Sequence, residues 1–215
     1  MVKELPIGFT VEMVKAVREG RKTVTRRVII PQPKNVYVTL GDPESWYTEQ
    51  ICGERIIPRY QPGDLLWIKE TYCHGIEWDD CKPSEVDPLC GGNDIWYFAD
   101  GERPTEGWGK KRSSRFMPKW VARTWLKVVS VRPERLQDIS PEECYAEGIE
   151  SQFSKDYKNR ENIPVMPLIK RFIRLWDSIN AKRGYSWESN PFVWRIEFKE
   201  LKHLKQGSDE EANTT

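Results

Sequence analysis

The chain has 215 residues, 34 Lys+Arg against 33 Asp+Glu, and ten tryptophans. That length suits one domain with insertions, or two small ones, with a core that takes roughly 70% of the unfolded surface out of water. No apolar run approaches the roughly 20 residues needed to span a bilayer. Lys3 and Glu4 argue against a secretory leader. Five cysteines, an odd number, fit reduced thiols better than a disulfide framework, so a cytoplasmic protein without membrane contact is expected.

In chain order, Thr10 is a natural N-cap for a helix whose Met13, Val14 and Val17 share one face, and Gly20 closes it. Lys22 to Arg27 then reads as a turn leading into Val28-Ile29-Ile30, with Pro31 and Pro33 breaking that strand. Residues 35 to 40 alternate as a short strand, turned by Gly41-Asp42-Pro43. Pro62-Gly63-Asp64 is a second turn, before an apolar strand from Leu65 to Lys69 that ends at Glu70. Residues 73 to 93, rich in Asp, Pro, Cys and Gly, read as an irregular insertion. Ile95 to Ala99 is a strand, and a Gly/Pro/Lys-rich loop runs from Asp100-Gly101 to Met117-Pro118.

Arg123 to Val131 is a longer strand with basic residues among large apolar ones. Ser140-Pro141-Glu142-Glu143 has the form of a capping box with proline at the first helical position, and Gly148 ends that helix. After Pro167, the spacing of Leu168, Phe172, Leu175, Trp176 and Ile179 predicts a helix with one buried stripe. Phe192 to Phe198 is the last strand, and residues after His203 form a polar tail. Five or six short strands with a few helices and no βαβ rhythm point to an α+β protein: a small antiparallel barrel carrying helices. Residues 1–203 are expected to form a single domain, with the insertion at 73–93 and a flexible tail at 204–215.

The near-neutral total hides segregation. Lys110 to Arg135 holds nine Lys/Arg and one acid, and Lys15 to Lys34 holds seven basic residues and one acid. Glu77 to Asp94 runs the other way, with six acids and one lysine. Two basic blocks in a neutral chain can form a local anion-binding face or a mixed solvated surface.

Two motifs carry the most information: Gly20-x-Lys22-x-x-Thr25-x-Arg27, and Gly63-Asp64-x-x-Trp67-x-x-Glu70. Together they resemble the signature of ASCH-domain proteins, small β-barrels related to the PUA RNA-binding fold. Met117-Pro118-Lys119-Trp120 to Ile139-Ser140, Leu175 to Asn180 and Asn190 to Trp194 are similar to a longer branch, often encoded by phages and prophages. The resemblance covers most of residues 5 to 201. One short bacterial branch hydrolyses N4-acetylcytidine to acetate and cytidine with a lysine, a threonine and a glutamate. By motif position these correspond to Lys22, Thr25 and Glu70.

The resemblance therefore implies Thr25 as nucleophile, Lys22 as its base, and Glu70 as proton shuttle or lysine partner. The chemistry is coherent. A threonine hydroxyl needs a neighbouring base, and lysine serves once burial or nearby cations bring its pKa below ~10.4. Arg26 and Arg27 push that way, and Glu70 opposes. Plain structural roles compete: Glu70 as an ion-pair partner, Thr25 tying up backbone in a turn, Lys22 solvated at a helix C-terminus. Trp67 shares a strand face with Leu65, a core position rather than a substrate platform.

Arg26, Arg27, Lys119, Arg123 and Trp120 are candidates for holding phosphates and a base, since single-stranded nucleic-acid binding combines cations with rings. Trp120 and Trp125 facing the core is the competing arrangement. Cys52, Cys73, His74, Cys81 and Cys90 lie around the insertion and four such ligands could hold zinc, but no C-x₂₋₄-C pair occurs. Free thiols are the preferred reading, with no metal and no cofactor. The expected partner is a nucleoside, a nucleotide or single-stranded RNA. A non-catalytic RNA-binding module, and a phage accessory protein whose insertion docks a protein, are the alternatives.

Overall fold

The computed structural model describes residues 2–38, 46–49, 56–86, 88, 94–104, 106–149 and 165–201. In chain order the main elements are β1 (Glu4–Gly8), α1 (Val11–Arg18), β2 (Val24–Val28), β3 (Asn35–Val38), β4 (Trp46–Glu49), β5 (Leu65–Lys69), β6 (Tyr72–His74), β7 (Ile95–Tyr97), β8 (Trp125–Arg135), α2 (Pro141–Ala146), α3 (Val165–Asn180) and β9 (Phe192–Glu200). This is a mixed α+β fold, rich in sheet. It divides into two compact units: Met1–Val14, Leu65–Lys127 and Glu200–Thr215 in one, Lys15–Asp64 and Val128–Lys199 in the other.

In the first unit the strand order is β1-β5-β8. Ile7, Leu66, Ile68 and Leu126 turn to the buried face, as the period of two requires. β1 runs parallel to β5, where an all-antiparallel arrangement was expected. β1 itself was not anticipated, because Pro6 and Gly8 read as strand breakers; both are tolerated on an edge strand. β6 and β7 pair antiparallel, so the start of the expected irregular insertion is regular strand. A smaller cluster of Tyr72, Met117 and Val121, with Trp120 and Tyr97 against it, packs there.

In the second unit the order is β8-β9-β2, and β3 pairs with β4. Its core joins Leu136, Ile139 and Cys144 around α2 to Leu168, Phe172 and Trp176 of α3 and Val193 of β9. The capping box at Ser140 forms as expected, its hydroxyl accepting from the Glu143 N–H. α3 begins before Pro167, which falls in the first turn, where a missing N–H costs nothing. Leu168, Phe172 and Trp176 are buried, but Ile179 is 42% exposed. Over eleven residues the stripe drifts off the core, and Asn180 turns inward instead.

The largest correction concerns the polar motif. Residues 24 to 28 form β2, paired antiparallel with β9 from Val24↔Glu197 to Val28↔Val193, rather than a turn. Charged Arg26 and Arg27 disguised a strand whose charges are met inside the protein. The expected strand ending at residue 40 extends into residues outside the described set.

Candidate active site

Gly20, at φ 73°, sits in the left-handed region that ends α1. The Gly20 N–H donates to the Val17 carbonyl and the Arg21 N–H to the Ala16 carbonyl, a Schellman reversal. This delivers Lys22 inward. Gly148, at φ 90°, makes room for it: a Cβ there would stand 2.9 Å from the Ala16 Cβ and 3.2 Å from the Lys22 Cβ.

Lys22, Thr25 and Glu70 are 2%, 3% and 1% exposed. Lys22 and Thr25 belong to the second unit and Glu70 to the first. The Lys22 ammonium donates to the Val24 carbonyl at 2.9 Å, the Glu147 carbonyl at 2.8 Å and the Glu147 carboxylate at 2.7 Å. Burial pulls its pKa below the ordinary value; the Glu147 charge and hydrogen bond oppose, and the charges of Arg27 and Arg26 add to the lowering.

Arg26 points to the same carboxylate. It donates to Glu134 at 2.6 Å, Glu143 at 2.6 Å and Glu147 at 3.2 Å, so Glu147 bridges Lys22 and Arg26. Arg195 donates to the other Glu143 oxygen at 2.8 Å. Burial pushes the Glu143 carboxyl up, but Arg26 and Arg195 outweigh it and leave its pKa lowered.

Period two puts Thr25 and Arg27 on the opposite face of β2 from Arg26. Their cross-strand partners are Ile196 and Trp194 of β9. On that face lies a cavity of about 390 Å³ lined by Arg27, Trp194, Ile196, Tyr60, Ile30 and Ile57, among others. Ile57 is 72% exposed and Ile30 is also exposed. The Arg59 guanidinium lies 5.5 Å from the Tyr60 ring centroid. Burial lowers the Arg27 pKa, against the charges of Tyr60 and Glu147. Ligand pockets commonly run from about 300 Å³ upward and combine apolar walls with a few polar groups, which describes this cavity.

In the first unit, both oxygens of Glu70 accept from Arg123, at 2.9 Å from Nε and 3.0 Å from Nη2. Arg123 also donates to Asp100 at 2.5 Å and lies 3.8 Å over the Tyr97 ring. Burial opposes, but the hydrogen bonds Arg123 donates to the two carboxylates raise its pKa. Lys119 pairs with Glu4 and lies 5.6 Å from the Trp125 ring centroid. Trp120 instead stacks on the buried His74 ring, centroids 5.8 Å apart.

Cys52, Cys90 and His203 lie outside the described residues. Cys73 and His74 are buried and Cys81 half-buried, and among the described residues no group of three His, Cys, Asp or Glu is arranged to hold a metal. Among them, too, no helix is long and apolar enough to cross a membrane. Sequence reasoning missed Glu147, Glu134 and Glu143. The only hint was that two acids sit in the capping box, beside a chain segment rich in arginine.

No protein-family model and no curated protein matches the chain. Among solved structures, a protein of Enterococcus faecalis assigned to the DUF984 family aligns at a TM-score of 0.42 and 9% identity, over 98% of this chain and 87% of that one. An ASCH domain from Lactobacillus crispatus aligns at 0.37 and 12% identity, over 92% of this chain and 79% of that one. At such scores neither supplies a residue role or an activity.

Proposed function

We propose that the chain is an ASCH-type protein, with a PUA-like barrel as its scaffold, that takes a nucleoside, nucleotide or single-stranded RNA and hydrolyses the N-acyl amide of a modified base such as N4-acetylcytidine. The observation that carries this reading is the cavity on the Thr25 and Arg27 face of β2, with Trp194 and Tyr60 in its walls. Rings suit a base, the Arg27 guanidinium suits its carbonyl or a phosphate, and the aliphatic rim suits an acyl group.

In this reading the Thr25 hydroxyl attacks the acyl carbon and gives its proton to Lys22. The base amine leaves with a proton, and water then releases acetate from the threonine ester. Burial lowers the Lys22 pKa against the pull of Glu147, and Arg27 and Arg26 add to the lowering, which is the direction the first step needs. Glu147, already hydrogen-bonded to the ammonium, is the group that holds Lys22 in place. Lys22, protonated in the first step, returns that proton to the departing amine.

Titration of the intrinsic tryptophan fluorescence with N4-acetylcytidine tests the ligand assignment. Saturable quenching by the native chain, weakened about tenfold or more in Arg27→Met and Trp194→Leu, is expected. Native protein that does not respond, or variants that respond identically, would overturn the cavity as the site.

A second reading has its own support. Lys22 directs three hydrogen bonds to protein acceptors, and Glu70 is held at both oxygens by Arg123. Groups so engaged suit a binding module that holds its ligand without turning it over.

A further inference from the structure

We infer that the cavity on the Thr25 face of β2 selects for N-acyl groups longer than acetyl, holding their alkyl chain along an aliphatic wall. This selection rests on the proposed acyl-amide hydrolysis at the same cavity. The wall is built from Val28, Ile30, Ile56, Ile57, Pro58 and Ile196. It starts next to the proposed nucleophile. Thr25 and Ile196 are directly opposed across β2 and β9, and the Cβ atoms of such a pair stand about 4.5–5.5 Å apart. An acyl group joined to the Thr25 oxygen therefore meets Ile196 first.

The wall continues well past the reach of a two-carbon group. Acetyl extends one C–C bond, about 1.5 Å, beyond its carbonyl carbon. Val28 follows Thr25 by three residues, and at ~3.3 Å per residue of strand it lies about 10 Å further along. Ile30 comes two residues later. Exposure rises along the set: Ile196 and Ile56 are buried, whereas Ile30 is 56% exposed and Ile57 is 72% exposed. A chain tethered at Thr25 can run from the buried end of such a wall to its open end, covering apolar surface that otherwise faces water. Arg27 and Trp194 form the next pair on the Thr25 face, which gives the base and the carbonyl their own partners and leaves the aliphatic residues to the chain.

The chemical step is the same for a longer chain. The Thr25 oxygen bonds to the acyl carbon, the C–N bond breaks, and Lys22 carries the hydroxyl proton to the departing amine. Water then cleaves the ester and releases the longer carboxylate in place of acetate.

The test is titration of the tryptophan fluorescence of the full chain with N4-acetyl-, N4-butanoyl- and N4-hexanoylcytidine. Affinity should rise about fifteenfold for each pair of carbons added, at about fourfold per buried methylene. Ile57→Ser and Ile30→Ser replace exposed side chains, so neither opens the core. Each should cut the step from butanoyl to hexanoyl to about fourfold, one methylene's worth. Saturable binding of all three ligands with equal or falling affinity would overturn the chain-length selection and leave the cavity as an acyl-cytidine site. No binding of any of them would overturn both. A hexanoyl step of full size in both variants would overturn the placement of the chain along this wall.

Discussion

In the unit built on β2, β9 and the later part of β8, buried cations meet carboxylates: Lys22 and Arg26 share Glu147, and Arg26 reaches Glu134 and Glu143 as well. In the unit built on β1, β5, β6 and β7, cations lie over rings: Lys69 on Trp67, Lys119 on Trp125, Arg123 on Tyr97 and Lys111 on Phe98. The difference has an energetic consequence. A cation buried among carboxylates cannot be removed without stranding the partners it satisfies. An exposed lysine over a half-buried ring, as Lys119 lies over Trp125, is held by a contact worth only about 0.5–1 kcal/mol. The second unit uses its buried charges to fix structure; the first does so at the Glu70–Arg123 pair and leaves exposed lysines such as Lys119 over its rings.

The sharpest way to break that comparison is Arg26→Met. It leaves three carboxylates facing each other in a buried setting, and a loss of about 3–5 kcal/mol in urea unfolding is expected. A loss below about 1 kcal/mol would mean that the buried ions contribute little. Gly148→Ala comes next, because a Cβ at that positive φ strains the backbone and crowds Ala16 and Lys22. The expected cost is about 1–3 kcal/mol, with Lys22-dependent function falling alongside.

His74 tests the first unit. Its ring is buried, both ring nitrogens lack a hydrogen-bond partner among the described residues, and burial together with Arg112 lowers its pKa against the pull of Asp79 and Glu77. Below about 6.5 the unfolded chain takes up a proton that the folded ring resists, so stability falls as pH falls through that value. The melting temperature should therefore drop between pH 7.5 and 5.5, and His74→Phe should flatten that drop while staying within about 1 kcal/mol of native stability at the higher pH. An unchanged pH profile in the variant would show that His74 is not its source. The smallest effect is expected at the exposed Lys82–Glu85 pair, where Lys82→Ala should change stability by no more than about 0.5 kcal/mol.

Much of the local structure was legible in the sequence where one principle dominated. The Ser140 capping box, the Gly20 stop and the Leu168, Phe172 and Trp176 stripe all formed as spacing and cap chemistry require. Reading failed where tertiary contacts overrode local signals. β2 looked like a turn because Arg26 and Arg27 break an apolar pattern, and only β9 and the distant glutamates explain why a strand can bury Arg26. The partner of Lys22 is 125 residues away and the partner of Glu70 is 53 away, separations at which no spacing rule operates. Trp67 was read as core. It is buried at 8% exposed, as that reading required.

The central claim is hydrolysis by Lys22 and Thr25, and its most direct measurement is release of acetate and cytidine from N4-acetylcytidine by the purified chain. Beside it run Lys22→Met and Thr25→Val, each checked for folding by circular dichroism. Turnover by the native chain, lost by about a hundredfold or more in each folded variant, is the predicted result. A native chain that binds N4-acetylcytidine in the fluorescence titration and releases no acetate would contradict the claim and leave the binding module.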